Sequence, residues 1–242
     1  RFGTPRQPGL VETATAVISV HPGLKRGLEG VEEFSHLWIL YEFNNNTSSM
    51  DSSMRNNPNT IFQGVRCLVQ IPRVSELKRG IFACRSPHRP NNIGLSLVRL
   101  VAVDELNLKV AGLDALDGTP VLDIKPYHAL VEALPTAIVP SWVRKSSEFP
   151  RVLVLWSTPR QLPPHRNRKK FAWLSNEEIL KVIEETLSSG DLRPPYLRES
   201  SEQFNGNLEI AGYRISYLMA ATNTAEITDI SEISPSKDNI SI

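Results

Sequence analysis

Three polar stretches carry the side chains that could do chemistry: Pro5-Arg6-Gln7, residues 85–92, and Asp117-Gly118-Thr119-Pro120. In the second, Arg85 and Arg89 stand in a turn stiffened by Pro87 and Pro90 and closed by Asn91-Asn92, with an apolar run on either side. A guanidinium is always charged and offers five donors in a planar fork, so such a loop presents a preformed site for a carboxylate, a phosphate or a nucleobase edge. The plainer alternative is a surface turn whose arginines keep it soluble. No Gly-rich phosphate loop leads into a helix, and no Ser/His/Asp set can be assembled. Cys67 and Cys84 make neither a disulfide framework nor a metal ligand set, which favours a reducing compartment and no metal. The chemistry is therefore expected to come from a bound cosubstrate that the protein holds and orients.

The elements that must do the holding are short. Residues 13–20 read as a strand ended by Pro22-Gly23, and residues 37–43 as a nearly continuous apolar strand, implying burial on both faces. Residues 64–71, 95–103, 107–113 and 120–124 are further strands, and Asp117-Gly118 is a tight turn. His36 reads as a structural histidine, residues 44–59 as a polar Asn- and Ser-rich insertion. Strands separated by turns, without a long helix among them, predict a mainly β fold: a sheet closed into a β-barrel.

Beyond residue 140 the character changes. A strand at 152–156 precedes a basic, proline-bearing stretch, and Ser175 and Glu178 then stand at capping-box spacing. Ile179, Leu180, Val182, Ile183 and Leu187 follow on one helical face that ends near Gly190. Residues 212–218 add a strand, and from 221 onward no apolar period is visible. The expected organisation is a barrel domain at 1–157, a basic linker at 158–174, a small α+β domain at 175–220 and a disordered tail at 221–242.

The net charge is only +1 over 242 residues, but it is unevenly placed: residues 141–175 carry 8 Lys/Arg against 1 Asp/Glu, and residues 176–242 carry 5 against 12. That density suggests a polyanion partner, with a solvated linker as the alternative. No apolar run approaches the roughly 18 residues of a membrane span, so no membrane partner is expected. The sequence opens at Arg1 without a methionine, so a piece upstream is expected, with any targeting peptide and most of a first strand.

Five stretches in order, FGTPRQPGL (2–10), GVEEFSHLWIL (30–40), GIFACRSPHRPNNIGLSL (80–97), GLDALDGTPVLDIKPY (112–127) and DLRPPY (191–196), resemble the TrmO family, also called TsaA or YaeB-like. These are S-adenosylmethionine-dependent tRNA methyltransferases that modify the adenosine just 3′ of the anticodon. The resemblance implies a β-barrel methyltransferase with a small C-terminal domain, a cytoplasmic location with an organelle left open, and a homodimer with the cofactor site near the subunit interface. Motif by motif it places Pro5, Arg6 and Gln7 on an N-terminal cofactor loop and Asn44 and Asn45 after the strand that follows the Phe-Ser-His motif. Arg85 and Leu95 fall on cofactor-contacting positions, and Asp117, Gly118, Thr119 and Pro120 on the last cofactor loop. The sequence departs from the family at Asn44, where a histidine is usual, and at Cys84 and Asn91-Asn92.

S-adenosyl-L-methionine needs acceptors for its ammonium and ribose hydroxyls, a donor for its carboxylate and an apolar wall for adenine. Asp117 can accept, Arg6 or Arg85 can donate, and Leu95 and Pro120 can pack. If the target N6 carries a threonylcarbamoyl group, proton removal helps, and Asp117 or Tyr127 are the catalytic candidates. Arg89, Lys125, Arg166, Arg168, Lys169 and Lys170 are the candidates for phosphates of a tRNA anticodon stem-loop. The alternative is a non-catalytic S-adenosylmethionine- or RNA-binding regulator with the same fold; an enzyme acting on another nucleic acid or small molecule is a third reading.

Overall fold

The chain is mainly β and divides into two units, Ala16–Glu148 and a second made of Arg1–Thr15 with Phe149–Ile242. The computed structural model describes residue 11 and residues 13–45, 67–71, 77–147, 151–165, 171–190, 192–193, 197, 201–220 and 223–233. Among the described residues no helix is long and apolar enough to cross a membrane.

In the first unit, β1 (Thr15–Ser19), β2 (His36–Glu42), β5 (Ile93–Asp104), β6 (Asn107–Ala111) and β7 (Val121–Pro126) form one sheet in the order β1-β6-β5-β2-β7. β3 (Leu68–Gln70) and β4 (Lys78–Gly80) pair separately as a hairpin. β2 lies next to the edge strand β7, antiparallel to β5 on one side and to β7 on the other. Closure into a barrel needs a ladder between β1 and β7, and among the described residues the partners of these two strands are β6 and β2. The sheet described is therefore open, where a closed barrel was expected.

Strand β2 alternates instead of burying both faces. Leu37, Ile39 and Tyr41 are buried, while His36, Trp38, Leu40 and Glu42 are half-buried. Its inward face joins Ile18, Val98, Leu108 and Val110 in the core, so period-2 pleating accounts for the pattern even though both faces are apolar in sequence. On β5 the same pleat turns Gly94, Ser96 and Val98 inward and leaves Ile93 and Leu95 exposed. Two short helices, α1 (Ala129–Glu132) and α2 (Ser141–Ser147), follow β7.

The second unit packs α3 (Asn176–Ser188) on a sheet ordered β8-β11-β10-β9, where β8 is Leu153–Trp156, β9 Phe204–Ile210, β10 Tyr213–Ala220 and β11 Thr224–Glu232. The expected capping box is present: Ser175 Oγ accepts from the Glu178 amide at 3.1 Å, and the Glu178 carboxylate accepts from the Ser175 amide at 2.6 Å. Ile179, Ile183 and Leu187 then meet Leu208, Ile215 and Ile227 in a shared core. Near the chain's start, Thr13 is tied to α3, its amide and hydroxyl both donating to Glu185 Oε2 at 3.0 and 2.7 Å.

Three expectations change here. The strand at Leu153–Trp156 pairs in parallel with β11, so it belongs to the second unit's sheet, and the division falls after residue 148 instead of 157. The described parts of the linker are packed, with Leu162 and Leu174 against the core and the Pro163 carbonyl accepting from Tyr213 Oη at 3.2 Å. Residues 221–222 and 234–242 of the expected disordered tail lie outside the described residues, while its Thr224–Glu232 part is β11. The apolar residues Ala225, Ile227 and Ile230 of β11 lose the strand period because the register with β10 shifts between Ser216 and Tyr217. Strand β9 also escapes a propensity reading. Its Gly206 has no side chain because the Tyr217 ring occupies the space a Cβ would need.

Candidate functional site

Because β2 lies between β5 and β7, the polar stretches of the first unit gather at one end of these three strands. The Phe43 amide donates to the Asn92 carbonyl at 2.7 Å, and the Glu42 amide to the Pro120 carbonyl at 3.0 Å. The last residues of β2, leading into exposed Asn44 and Asn45, thus run between the arginine loop that precedes β5 and the Asp-Gly-Thr-Pro loop that precedes β7. Three segments far apart in sequence become neighbours because β5, β2 and β7 are adjacent strands.

Arg85 is exposed and reaches back along its own loop, its Nη2 donating to the Leu95 carbonyl at 2.9 Å. Leu95 itself is 45% exposed, with Ile93 uncovered beside it on the same face of β5. A cation and an uncovered aliphatic surface therefore share one patch. Asn92 closes the loop in a left-handed conformation (φ 51°), and its Oδ1 is buried without a hydrogen-bond partner. A buried acceptor left open is costly unless a donor arrives to fill it.

Arg89 is placed differently: its Nη1 donates to the carbonyls of Ile81 and Cys84, both at 3.1 Å, and its guanidinium lies 6.0 Å from the Phe82 ring centre. That arrangement staples the loop from inside. Asp117 and Gly118 form the centre of a turn in which the Thr119 amide donates to the Leu116 carbonyl at 3.2 Å, and Gly118 takes φ 76°, as a glycine there can without strain.

Beneath this patch lies a polar trio that sequence reasoning missed. The loop from β6 to β7 has to cross β5 and β2, and Asp114 within it meets both: Tyr41 Oη donates to Asp114 Oδ1 at 3.0 Å, and Ser96 Oγ donates to the same oxygen. Burial pushes the Tyr41 hydroxyl up to about 12, helped by the Asp114 carboxylate and opposed by the Ser96 bond and the Arg85 guanidinium. Ser96 is a lone hydroxyl in an apolar strand, the one signal in the sequence that could have pointed here.

Tyr127 and Lys125 stand at the opposite end of β2. The Tyr127 amide donates to the His36 carbonyl at 3.0 Å, and its ring meets Trp38 edge-on at 6.0 Å. Trp38 Nε1 in turn donates to Glu132 Oε1 at 3.0 Å, and Lys125 is paired with Asp123 at 2.9 Å. The length of β7, roughly 20 Å at about 3.3 Å per residue, separates Tyr127 from Asp117, so the two catalytic candidates are not brought together within the chain. Pro5, Arg6, Gln7, Arg166, Arg168, Lys169 and Lys170 lie outside the described residues.

The family model described as tRNA-methyltransferase O N-terminal domain matches residues 1–133. The chain belongs to this family. The tRNA (adenine(37)-N6)-methyltransferase of Escherichia coli K12 is 41% identical over 144 residues, covering 57% of this chain and 55% of that protein. The mouse protein of the same name is 40% identical over 133 residues, which are 53% of this chain and 28% of the relative. The chain thus spans about half the length of the bacterial relative and under a third of the mouse one.

A Pseudomonas aeruginosa protein named "Putative S-adenosylmethionine-dependent methyltransferase RcsF" is 33% identical over 199 residues, covering 81% of this chain and 77% of its own length. Among solved structures, a crystal structure of TrmO from P. aeruginosa superposes with a TM-score of 0.66 at 27% identity, covering 96% of this chain and 89% of that one. The TrmO match therefore extends over the second unit in structure, although the family model covers only the first 133 residues.

Proposed function

We propose that this TrmO-family chain is an S-adenosylmethionine-dependent tRNA (adenine-N6)-methyltransferase that acts on threonylcarbamoyladenosine beside the anticodon. The observation that carries the reading is the convergence, at one end of β2, of the arginine loop, Leu95 and the Asp-Gly-Thr-Pro loop, within the stretch the family model matches.

The donor groups there suit an amphiphilic nucleoside. Arg85 would hold the carboxylate of S-adenosylmethionine, Asp117 and the open Asn92 Oδ1 would accept from its ammonium or hydroxyls, and Leu95 with Pro120 would wall the adenine. Pro5, Arg6, Gln7, Asn44, Asn45, Gly118 and Thr119 complete the set by resemblance to the family. When bound, S-adenosylmethionine supplies an electrophilic methyl on a sulfonium. The protein's share is to align the accepting nitrogen behind that methyl and to keep water out, which makes rigid placement worth more than acid–base work. A urea-like N6 is a poor nucleophile, and Asp117, which shares the Arg85 end of β2, is the residue assigned to take its proton. Tyr127 belongs to the other end and is not assigned that role.

Phosphate contacts are assigned chiefly to Arg166, Arg168, Lys169 and Lys170, because Arg89 is committed to loop carbonyls and Lys125 to Asp123. The chain is also proposed to form a homodimer. A run of uncovered apolar side chains after β7, with Leu130 94% and Ile138 93% exposed, supports that reading. The bulges in the β2–β7 and β5–β6 ladders add twist of the kind a barrel wall needs, which supports the proposal of a closed sheet.

The test is transfer of labelled methyl from S-adenosylmethionine to tRNA bearing threonylcarbamoyladenosine, with nucleosides resolved by mass spectrometry. Label on that nucleoside alone, lost in Arg85→Ala, is the expected result. Cofactor binding without transfer would leave the non-catalytic regulator, and label elsewhere would reassign the substrate.

A further inference from the structure

The polar trio beneath the site joins three segments that have no other reason to carry polar groups there. Tyr41 comes from β2, Ser96 from β5 and Asp114 from the loop that crosses both. Tyr41 and Ser96 are 2% and 0% exposed, and their oxygens lie 3.3 Å apart. The Tyr41 ring covers Gly94, where a Cβ would overlap it, so the hydroxyl is held in place by packing as well as by hydrogen bonds. Because burial keeps the Tyr41 proton on well beyond neutral pH, the hydroxyl is a lasting donor to Asp114. An apolar trio of similar shape would avoid the desolvation penalty, so the polar one has directional value.

That direction bears on the crossing loop. Asp114 fixes its first half, and the bond from the Glu42 amide to the Pro120 carbonyl fixes its end. Between the two anchors stand Asp117, Gly118 and Thr119. We propose that Asp114 is a positioning residue of the methyl-donor site: held by Tyr41 and Ser96, it sets the Asp117–Pro120 turn in register with Arg85 and Leu95. The inference rests on the methyltransferase reading above. Asp114 acts through the loop and makes no contact with the reacting atoms.

The test uses the full chain and S-adenosylmethionine, with affinity measured by calorimetry, KM measured separately for cofactor and tRNA, and folding followed by circular dichroism. Asp114→Ala raises Kd and KM for S-adenosylmethionine about tenfold or more and leaves KM for tRNA within about twofold, as expected for a displaced cofactor loop. The double variant Tyr41→Phe with Ser96→Ala reproduces that change, since it removes the same bonds from the other side. Asp114→Asn rescues, staying within about threefold of wild type, because its Oδ1 still accepts from both hydroxyls.

A folded Asp114→Ala chain that binds cofactor as wild type does overturns the inference. So does equal loss in Asp114→Asn and Asp114→Ala, which would mean that the negative charge itself acts on the ligand. If Asp114→Ala does not fold, the Tyr41→Phe/Ser96→Ala chain decides, because it keeps nearly all of the packing. Wild-type protein that neither binds S-adenosylmethionine nor transfers methyl overturns the methyltransferase reading and this inference with it. Wild-type activity with unaffected variants overturns this inference alone.

Discussion

Arg85 Nη2 and the Leu95 carbonyl, ten residues apart and 2.9 Å from one another, tie the arginine loop to the strand it precedes. The same bond keeps a cation beside the uncovered face of Leu95. Arg85→Lys keeps a charge but loses the planar fork, so it should recover only part of the activity that Arg85→Ala loses. The expected drop in kcat/KM for S-adenosylmethionine is about 10- to 100-fold for Ala, with stability within about 0.5 kcal/mol of wild type because the side chain is exposed. Steady-state kinetics beside urea unfolding checks both numbers.

Alkaline pH should uncover Tyr41. Its hydroxyl is raised from 10.0 to about 12 in the folded chain, chiefly by burial. Below pH 10 folded and unfolded states both hold the proton and its contribution is fully present. Between pH 10 and 12 the unfolded state releases a proton that the folded state keeps, so stability falls as pH rises, by on the order of 2 kcal/mol. Unfolding measured from pH 9 to 11.5 should give a smaller loss in Tyr41→Phe than in wild type, and equal slopes would rule the assignment out.

Helix α3 offers a pair of changes with opposite signs. Ser175→Ala removes the cap that accepts from the Glu178 amide and is expected to cost about 1 kcal/mol. Thr186 is 7% exposed and its Oγ1 is buried without a partner, so Thr186→Val, which keeps the shape, should gain about 1 kcal/mol. Chemical denaturation of both variants measures the two signs.

Salt should report the basic segment. If Lys169 and Lys170 each neutralise a tRNA phosphate, their joint replacement by alanine lowers the slope of log affinity against log salt by about 2. An unchanged slope would move the phosphate contacts elsewhere.

The uncovered apolar run after β7 predicts association. Leu130→Asp with Ile138→Asp should shift the mass seen by light scattering from dimer to monomer. A wild-type chain already monomeric at micromolar concentration would refute the proposed dimer.

Local chemistry was legible in the sequence. The capping box of α3 needs only Ser175 and Glu178 three residues apart, and the turn at Asp117-Gly118 needs only a glycine able to take φ 76°. The five ordered motifs from residue 2 to residue 196 carried the resemblance to the family that the family model matches over residues 1–133. What the tertiary structure alone decided depends on which strands are neighbours. Tyr41 and Asp114 are 73 residues apart, and nothing near either one announces the other until the loop from β6 to β7 is made to cross β5 and β2. The same adjacency brings Arg85 and Asp117 to one end of β2 and sends Tyr127 to the other. In β11 a single register shift was enough to hide a strand, because side-chain period survives in sequence only while the ladder stays regular.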